Sequence, residues 1–250
     1  MTAKAYSFVR EVEAGPEREL RTDRHYLLYA SAGALRLTAD GQVWLLPPAR
    51  AALVEAGRPI QVSIPRPVRT ASVLFDTGFA PPPSAPLAVF DLSPLARCLV
   101  AECGAWGDPD AELPPYAETM FAALAAVTWR LAEQPSPVTI PAGRSAELRQ
   151  ALRLTEARLG EEVRFEEVAA RVGLAPRSLA RRFAAETGMT WRAVLRRMRL
   201  ARAIEELVAG DAPVTEVAFR VGYASLSAFN AAFLELTGRT PTEYRDSCRG

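Results

Sequence analysis

Arg171 to Arg202 reads R-V-G-L-A-P-R-S-L-A-R-R-F-A-A-E-T-G-M-T-W-R-A-V-L-R-R-M-R-L-A-R, with nine arginines and a single acid, Glu186. Gly173 ends one short apolar segment, and Pro176 stands where a second helix would begin. The pattern therefore predicts a helix, a tight turn and a second helix. So much positive charge on so short a segment favours binding to a polyanion.

A helix that begins near Pro176 has two separate kinds of surface. Leu179 and Phe183 are four residues apart and share an apolar face. The other faces carry the polar residues that we expect to contact DNA, namely Arg177, Ser178, Arg181 and Arg182. The planar fork of donors on arginine suits phosphate oxygens and the O6/N7 edge of guanine. Taken alone, the same residues would also fit an ordinary solvated basic surface.

The following section repeats this stretch at a spacing of 49 to 50 residues. The matching residues are Ala169 and Ala218, Val172-Gly173 and Val221-Gly222, Phe183 and Phe233, and Thr187-Gly188 and Thr237-Gly238. We therefore predict two helix-turn-helix units, at 165–187 and 214–237, joined by one long helix. Such a pair would place its recognition helices about 34 Å apart, in successive major grooves of DNA. A chance basic patch would not be duplicated together with its scaffold.

Several motifs within residues 148–245 resemble the AraC/XylS-type transcriptional regulators. They are L-A-R-R-F-A-A-E-T-G-M-T-W, R-L-A-R-A-I-E-E-L, V-T-E-V-A-F-R-V-G-Y, and S-A-F-N-A-A-F followed by T-G-R-T-P-T-E-Y-R. The resemblance implies a DNA-binding domain over 144–250. It also implies that Arg177 and Arg181 occupy base-reading positions and that Arg182 lies close to phosphate. Arg196 is a further expected phosphate contact.

The sequence departs from the family pattern in three places. Arg164 and Ala175 stand where the family usually has a Ser or Thr helix cap, and each loss costs about 1 kcal/mol if nothing compensates. The second recognition helix, expected over 225–236, has Ala231 where many relatives carry arginine, and it contains no basic residue. Its expected polar contacts to DNA are Ser225, Ser227 and Asn230. We therefore expect the first unit to supply most of the affinity.

The first half of the chain predicts short antiparallel strands followed by helices. Apolar runs separated by turn residues extend from Tyr6 to Phe75 and favour a small barrel or jelly roll. Helical patterns follow at about 93–105 and 115–133. Three prolines in 135–143 suggest a stiff linker between a first domain, 1–134, and the DNA-binding domain. The expected fold class is α+β, with a β-barrel domain and an all-α domain.

The strands also resemble, more weakly, the cupin-like domain of many such regulators. The similar motifs are H-Y-L-L-Y-A-S-A-G-A-L, W-L-L-P-P-A-R-A and A-G-R-P-I-Q-V. Leu20, Thr22 and Ile60 stand where relatives commonly have histidines, and the chain contains a single histidine, His25. A metal cupin needs several converging imidazole or carboxylate ligands. We therefore expect no metal and no other cofactor, and His25 is interpreted as a structural or surface residue.

A barrel without metal ligands still leaves room for a small-molecule effector. By strand parity with the replaced histidine positions, the residues expected to point inward are Leu20, Thr22, Tyr26, Leu28, Ile60 and Val62. Trp44 is expected at the rim. This lining favours an apolar or aromatic effector over a sugar or an anion. The alternative is that these side chains simply fill the barrel.

Composition limits the remaining possibilities. The chain of 250 residues has 49% hydrophobic residues, which is enough for real cores, and a net charge of only +1. Three cysteines without paired spacing and no secretory pattern predict a reduced, cytosolic protein without a membrane span. The expected partners are double-stranded DNA, an effector, RNA polymerase and a second copy of the chain. The alternatives are a cupin-type enzyme with an attached DNA-binding module and a regulator whose first domain only dimerises.

Overall fold

The computed structural model describes residues 3–48, 50–135 and 139–249, which divide into two compact units. One unit combines Met1–Leu37 with Leu46–Pro137, and the other combines Thr38–Leu45 with Val138–Gly250. The fold class is α+β, as predicted, with two five-stranded sheets and a helical second half. The segment Thr38–Leu45 belongs to the second unit. A division of the chain at a single linker would have placed this segment in the first unit.

Ten strands lie in the described part of the chain and form two sheets. They are β1 (Ala5–Val12), β2 (Gly15–Leu20), β3 (His25–Ala32), β4 (Leu35–Ala39), β5 (Gln42–Leu46), β6 (Arg50–Val54), β7 (Ile60–Ile64), β8 (Val68–Phe75), β9 (Leu87–Asp91) and β10 (Thr139–Pro141). The first sheet has the antiparallel order β1-β8-β3-β6-β9. The second has the order β10-β5-β4-β7-β2. The strands β2, β9 and β10 are not anticipated by the sequence pattern.

One face of the first sheet packs in an apolar core, and the other face lines a cavity. Side chains alternate along a strand, so Leu27 and Tyr29 of β3 join one apolar core while Tyr26 and Leu28 line a cavity on the opposite face. The core on the first face is closed by helices α1 (Pro94–Cys103) and α2 (Pro115–Ala132). The cavity on the second face is also lined by residues of β2 and β7 from the other sheet.

Helix α1 begins where the sequence predicts, but it buries a different stripe. The Ser93 hydroxyl accepts a hydrogen bond from the Ala96 N–H at 3.1 Å and caps the helix. The apolar pattern predicts a buried stripe of Leu95, Cys98, Leu99 and Cys103, but Leu95 and Cys98 are exposed. The buried residues are Ala96, Leu99, Val100 and Cys103. Both sets have helical spacing, so periodicity alone did not distinguish them.

Residues 139–141 of the linker expected over 135–143 form the strand β10. Thr139 pairs with Trp44, and Pro141 pairs with Gln42. The strand lies at the edge of its sheet, where proline is tolerated although it cannot donate a backbone hydrogen bond. Ile140 also packs against the core of the second unit. Residues 136–138 of the expected linker lie outside the described residues.

The second unit consists mainly of helices, in the order that the repeat predicts. They are α3 (Ala146–Glu156), α4 (Phe165–Arg171), α5 (Pro176–Thr187), α6 (Trp191–Ala209), α7 (Val214–Arg220), α8 (Leu226–Thr237) and α9 (Pro241–Arg249). Helix α3 ends at Glu156, and turns occupy residues 157–160. Thr190 caps the long helix α6 by accepting from the Ala193 N–H at 3.3 Å.

His25 is a buried structural residue of the first unit. Its Nδ1 accepts a hydrogen bond from the Ala56 N–H at 3.2 Å, and its ring meets Trp129 edge-on with centroids 5.9 Å apart. Burial lowers the pKa of His25 below its ordinary value, and the opposing effects of Glu55 and Asp76 only partly offset this. The neutral imidazole is therefore the form that the fold stabilises.

This lowered pKa predicts an acid-sensitive contribution to stability. The unfolded chain binds a proton at His25 near pH 6.5, whereas the folded chain binds it only at lower pH. We expect the free energy of unfolding to decrease as pH falls below about 6.5. His25→Asn keeps an acceptor for the Ala56 N–H but cannot titrate, so its stability should change less. Urea unfolding of both proteins between pH 7 and 5 tests this, and equal pH slopes would contradict it.

Candidate nucleic-acid interface

The two helix-turn-helix units repeat each other down to individual hydrogen bonds. Gly173 ends α4 and Gly222 ends α7, with left-handed φ angles of 71° and 90°. One backbone hydrogen bond of 3.0 Å closes each turn, from Leu174 to Ala169 and from Tyr223 to Ala218. The predicted repeat is therefore a structural repeat, and α5 and α8 occupy equivalent places.

The ends of α5 and α8 are also built alike. The Thr187 hydroxyl donates to the Phe183 carbonyl at 2.7 Å, and the Thr237 hydroxyl donates to the Phe233 carbonyl at 2.8 Å. Both helices then end at a glycine in the left-handed region. Phe183 and Phe233 are fully buried and fix each helix to its own core.

Helix α5 separates its apolar anchors from its basic surface. Leu179 and Phe183 are fully buried. Arg177 and Arg181 are exposed, and Ser178 is half-buried. The exposed pair lies four residues apart, so both guanidinium groups leave the same side of the helix. This surface has the shape and charge of a helix that enters the major groove.

The caps before α5 and α8 differ, whereas α4 and α7 both begin without a side-chain cap. Arg164 before α4 and Ala175 before α5 make no side-chain capping hydrogen bond. Ser225 does cap α8, by accepting from the Ala228 N–H at 3.2 Å. The hydroxyl expected to contact DNA at position 225 therefore also stabilises the start of its own helix.

The nine arginines of 171–202 fall into two groups. Five make hydrogen bonds or salt bridges to described residues: Arg182, Arg196, Arg197, Arg199 and Arg202. Four make neither with any residue that the structure describes: Arg171, Arg177, Arg181 and Arg192. The two arginines expected to read bases belong to the second group, so a ligand meets no competing carboxylate there.

The two arginines expected on phosphate are engaged in ion pairs. Arg182 Nη1 lies 2.7 Å from Glu147 Oε2, and Arg196 pairs with Glu235. All four side chains remain partly exposed, so each guanidinium retains donors that face solvent. The sequence did not indicate these partners, which come from α3 and α8.

The exposed surface of α8 contains no charge that could replace the arginines of α5. Ser227, Asn230 and Ala231 are exposed there. In the repeat, Ala231 is equivalent to Arg181 and Ser227 to Arg177. The two exposed arginines of α5 are therefore replaced by uncharged residues at the equivalent positions of α8.

Glu186, the single acid of the basic stretch, has a structural role that the sequence did not indicate. Its carboxylate accepts hydrogen bonds from the Arg144 N–H at 2.7 Å, the Ser145 N–H at 2.9 Å and the Ser145 hydroxyl at 2.6 Å. Partial burial opposes ionisation, but these hydrogen bonds outweigh it and lower the pKa of Glu186. The end of α5 is thereby fixed to the start of α3.

A close backbone contact connects the two helix-turn-helix units. Arg199 of α6 donates to the Leu159 carbonyl at 3.1 Å and to the Glu161 carbonyl at 3.2 Å. The same turn lies directly against Gly222, where an added Cβ would overlap the Leu159 carbonyl. Gly160 lies equally close to the Arg220 carbonyl. The sequence showed these glycines only as helix ends.

A groove of about 740 Å³ lies beside the basic face of α5. Ala180 and Ala184 form one side, and α6 contributes Arg192 and Leu195. Arg192 is exposed and is one of the four arginines without a described partner. Arg192 belongs to the nine arginines of the basic stretch, but it was not predicted to bind DNA. The sequence gives no indication that Arg192 lies beside α5.

The first unit contains a cavity of about 330 Å³ between one face of the first sheet and the strands β2 and β7. All six residues predicted to point inward line it: Leu20, Thr22, Tyr26, Leu28, Ile60 and Val62. Trp44 is not among the described residues that line it, so the expected rim contact is wrong. The reason is that β5 pairs with β10, and Trp44 lies opposite Thr139 on that edge of the sheet.

The described residues contain neither a candidate metal site nor a candidate membrane-spanning helix. There, no group of three or more His, Cys, Asp or Glu side chains is arranged to hold a metal ion. Within the same residues, no helix has the length and apolar character needed to cross a membrane.

Comparison with known proteins gives matches to the second unit. Residues 168–247 match the model of a helix-turn-helix domain family. The transcriptional activator RhaS of Klebsiella pneumoniae is 35% identical over 100 residues, which are 40% of this chain and 36% of RhaS. RhaS of Citrobacter koseri is 33% identical over 104 residues, 42% of this chain and 37% of the relative. The chain thus spans just over a third of the length of these relatives.

Solved structures give two kinds of match. The C-terminal domain of AraT, a response regulator from Geobacillus stearothermophilus, is 29% identical with a TM-score of 0.39, covering 41% of this chain and 86% of that domain. ToxT from Vibrio cholerae is 11% identical with a TM-score of 0.43, covering 99% of this chain and 100% of ToxT. A fatty acid-bound form of ToxT covers 96% of this chain and 94% of that chain, with 11% identity and a TM-score of 0.41.

The sequence motifs, the duplicated hydrogen bonds and the family match all apply to the same part of the chain. Its two helix-turn-helix units, joined by α6, contain the residues that the resemblance identified. Residues 168–247 of this protein therefore form a helix-turn-helix domain, and its motifs are similar to those of AraC/XylS-type regulators.

Proposed function

We propose that the protein is a sequence-specific DNA-binding transcriptional regulator. The observation that carries the proposal is the basic face of α5, where Arg177 and Arg181 are exposed without described partners on a duplicated helix-turn-helix scaffold. The RhaS relatives, which are named as transcriptional activators, support the same function. RNA polymerase and a second copy of the chain are the further partners that we propose.

Within this function, the contacts to DNA divide between base reading and positioning. We assign base contacts to Arg177, Ser178 and Arg181, because bidentate guanidinium donors discriminate guanine in the major groove. Arg182 and Arg196 contact phosphate, which gives affinity without sequence information. The contacts of α8 are the weaker set, and they come from Ser225, Ser227 and Asn230.

The first unit, in this proposal, binds a small-molecule effector in the cavity between its sheets. A volume of about 330 Å³ lies at the lower end of the usual range for ligand sites. The alternatives are a first unit that only dimerises and a cupin-type enzyme. A ligand that binds the folded state raises the melting temperature, which distinguishes an effector site from a dimerisation module.

Selection of bound DNA from a random pool tests the regulatory proposal. We expect an asymmetric site with two short conserved blocks about one helical turn apart, because two unlike recognition helices enter successive grooves. The block read by α5 should be the more strongly conserved one. Recovery of DNA without sequence preference would contradict sequence-specific regulation.

The proposed phosphate role of Arg182 predicts a change in salt dependence. Arg182→Gln should weaken binding to specific and unrelated DNA by similar factors, and it should reduce the slope of log K against log salt by about 0.9. Titration of labelled DNA at several salt concentrations measures both quantities.

Glu147→Gln is the matched control for this variant. It breaks the ion pair of 2.7 Å between Glu147 and Arg182 but leaves the arginine in place. Its salt slope should not decrease. If the salt slope decreases equally in both variants, the effect of Arg182→Gln comes from loss of the ion pair with Glu147. A contact between Arg182 and phosphate would then be contradicted.

A further inference from the structure

We propose that the effector is an amphipathic anion, with an apolar body and one carboxylate or similar group. The inference rests on the proposed effector role of the cavity between the sheets, and it adds the chemical class of the ligand. It replaces the expectation from the sequence that an apolar or aromatic effector is favoured over an anion. The reason is the distribution of charge on the cavity wall.

The inner part of the cavity is almost entirely aliphatic. The buried apolar residues that line it are Leu28, Leu35, Val54, Ile60, Val62, Ile64 and Leu74, and the buried polar ones are Thr70 and Ser72. Near them, the Tyr26 and Ser72 hydroxyls hydrogen-bond each other at 2.8 Å. A ligand in this region gains free energy by burying apolar surface and finds few polar partners.

The outer part of the cavity is strongly basic. Arg10, Arg18 and Arg21 line the cavity and are exposed, so they lie where it meets solvent. Arg58 also lines it and is half-buried. No aspartate or glutamate is among the described residues of the wall. A wall that contains four arginines and no described acid favours an anion and opposes a cation.

The three exposed arginines remain available for a ligand. Arg10, Arg18 and Arg21 make no salt bridge with any acid in the described ranges. The guanidinium of Arg10 lies over the Phe8 ring, 4.4 Å from its centroid, and this contact orients it. The acid next to Arg18 in sequence, Glu19, accepts a hydrogen bond from Gln61 at 3.1 Å instead.

The two regions together specify the ligand. An apolar body in the aliphatic region places an attached anionic group among the arginines, where charge-assisted hydrogen bonds are strong. A sugar would leave many hydroxyls without partners against the aliphatic wall. The volume of about 330 Å³ suits a single substituted ring or a short chain.

Thermal shift of the full chain with matched ligands tests the proposal. The probes are straight-chain carboxylates of six to twelve carbons and 4-alkylbenzoates, each with its primary amide and its amine. We expect at least one acid at about 1 mM to raise the melting temperature, and its amide and amine to have little effect. The proposal is overturned if no acid binds, or if an amide or amine binds as tightly as its acid.

Charge variants locate the binding site. Arg18→Gln and Arg21→Gln, combined in one chain, should weaken binding of the best acid at least tenfold, since hydrogen bonds to charged groups contribute strongly. Arg66→Gln removes one positive charge from an exposed position outside the cavity and should leave affinity unchanged, and each single variant, Arg18→Gln or Arg21→Gln, should weaken it. Wild-type affinity in the double variant would overturn the assignment.

DNA binding of the same preparations separates this inference from the proposed function. Neither the double variant nor Arg66→Gln touches the helix-turn-helix units, so both should bind the selected DNA site without ligand. Retained DNA binding with no response to any acid would reject the anionic effector and leave the regulator. Loss of DNA binding in the unmodified chain would reject the regulator itself.

Discussion

Arg181→Ala is expected to weaken binding to the selected DNA site roughly 10- to 100-fold, whereas Asn230→Ala should weaken it by less than tenfold. A bidentate guanidinium contact to guanine is worth about 1–3 kcal/mol of discrimination. Arg181 is exposed and makes no hydrogen bond or salt bridge with any described residue, so its removal leaves the fold of α5 intact. Gel-shift titration against the selected site and a site with one altered base pair measures affinity and specificity together.

The repeat supplies a reciprocal variant for this prediction. Ala231 is the equivalent of Arg181 in α8 and is exposed. Ala231→Arg should therefore strengthen DNA binding, because it adds a cation to the recognition helix that has none. Its effect on stability should be small, since exposed substitutions usually change stability by less than about 0.5 kcal/mol.

A larger loss of affinity for Asn230→Ala than for Arg181→Ala would reverse the assigned order of the two units. The thermal midpoint of each variant serves as the control, because a destabilised domain would lose affinity for an unrelated reason. Equal losses on specific and altered DNA for Arg181→Ala would assign the residue to phosphate and not to a base.

The all-α half was predictable because its signals are local and occur twice. Gly173, Pro176 and Thr190 mark helix boundaries through their backbone preferences or their caps, and the duplication repeats the signals of Gly173 and Thr190 at Gly222 and Thr240. The strand β10 was not predictable, because prolines in 135–143 indicate a linker as strongly as an edge strand. Pairing with β5 depends on contacts between residues almost a hundred positions apart, which no local pattern records.

The candidate sites show the same division. Strand parity correctly placed Tyr26, Leu28, Ile60 and Val62 in the cavity, since alternation is a property of any strand. The charge of the cavity was missed because Arg10 and Arg18 lie on β1 and β2, and β2 was not recognised as a strand. The ion pairs of Arg182 and Arg196 were missed because their acids come from other helices.

The second large effect is expected at Gly222, where two backbone segments meet. Gly222 has a φ of 90°, and a Cβ there would overlap the Leu159 carbonyl and lie 2.7 Å from Arg199 Nη2. Gly173, its equivalent in the first unit, has a φ of 71° and nothing within 4 Å of an added Cβ. The two positions therefore share the backbone strain of a left-handed residue but differ in packing.

Gly222→Ala is expected to lower the free energy of unfolding of the helical unit by on the order of 3–5 kcal/mol, because a rigid carbonyl cannot move away from the new methyl group cheaply. Gly173→Ala should cost only about 1–2 kcal/mol, the strain of a left-handed alanine. Urea unfolding followed by circular dichroism at 222 nm reports on the helices and measures both values.

Gly173→Ala introduces backbone strain without a close contact, whereas Gly160→Ala introduces a close contact without backbone strain. Its φ is outside the left-handed region, but its Cβ would lie 2.6 Å from the Arg220 carbonyl, so any cost comes from the contact alone. We expect Gly160→Ala to weaken DNA binding more than Gly173→Ala does, because moving this contact shifts one recognition helix relative to the other. If Gly222→Ala and Gly160→Ala are no more damaging than Gly173→Ala, the contact does not set the spacing of the two units, and α6 alone must hold them in register.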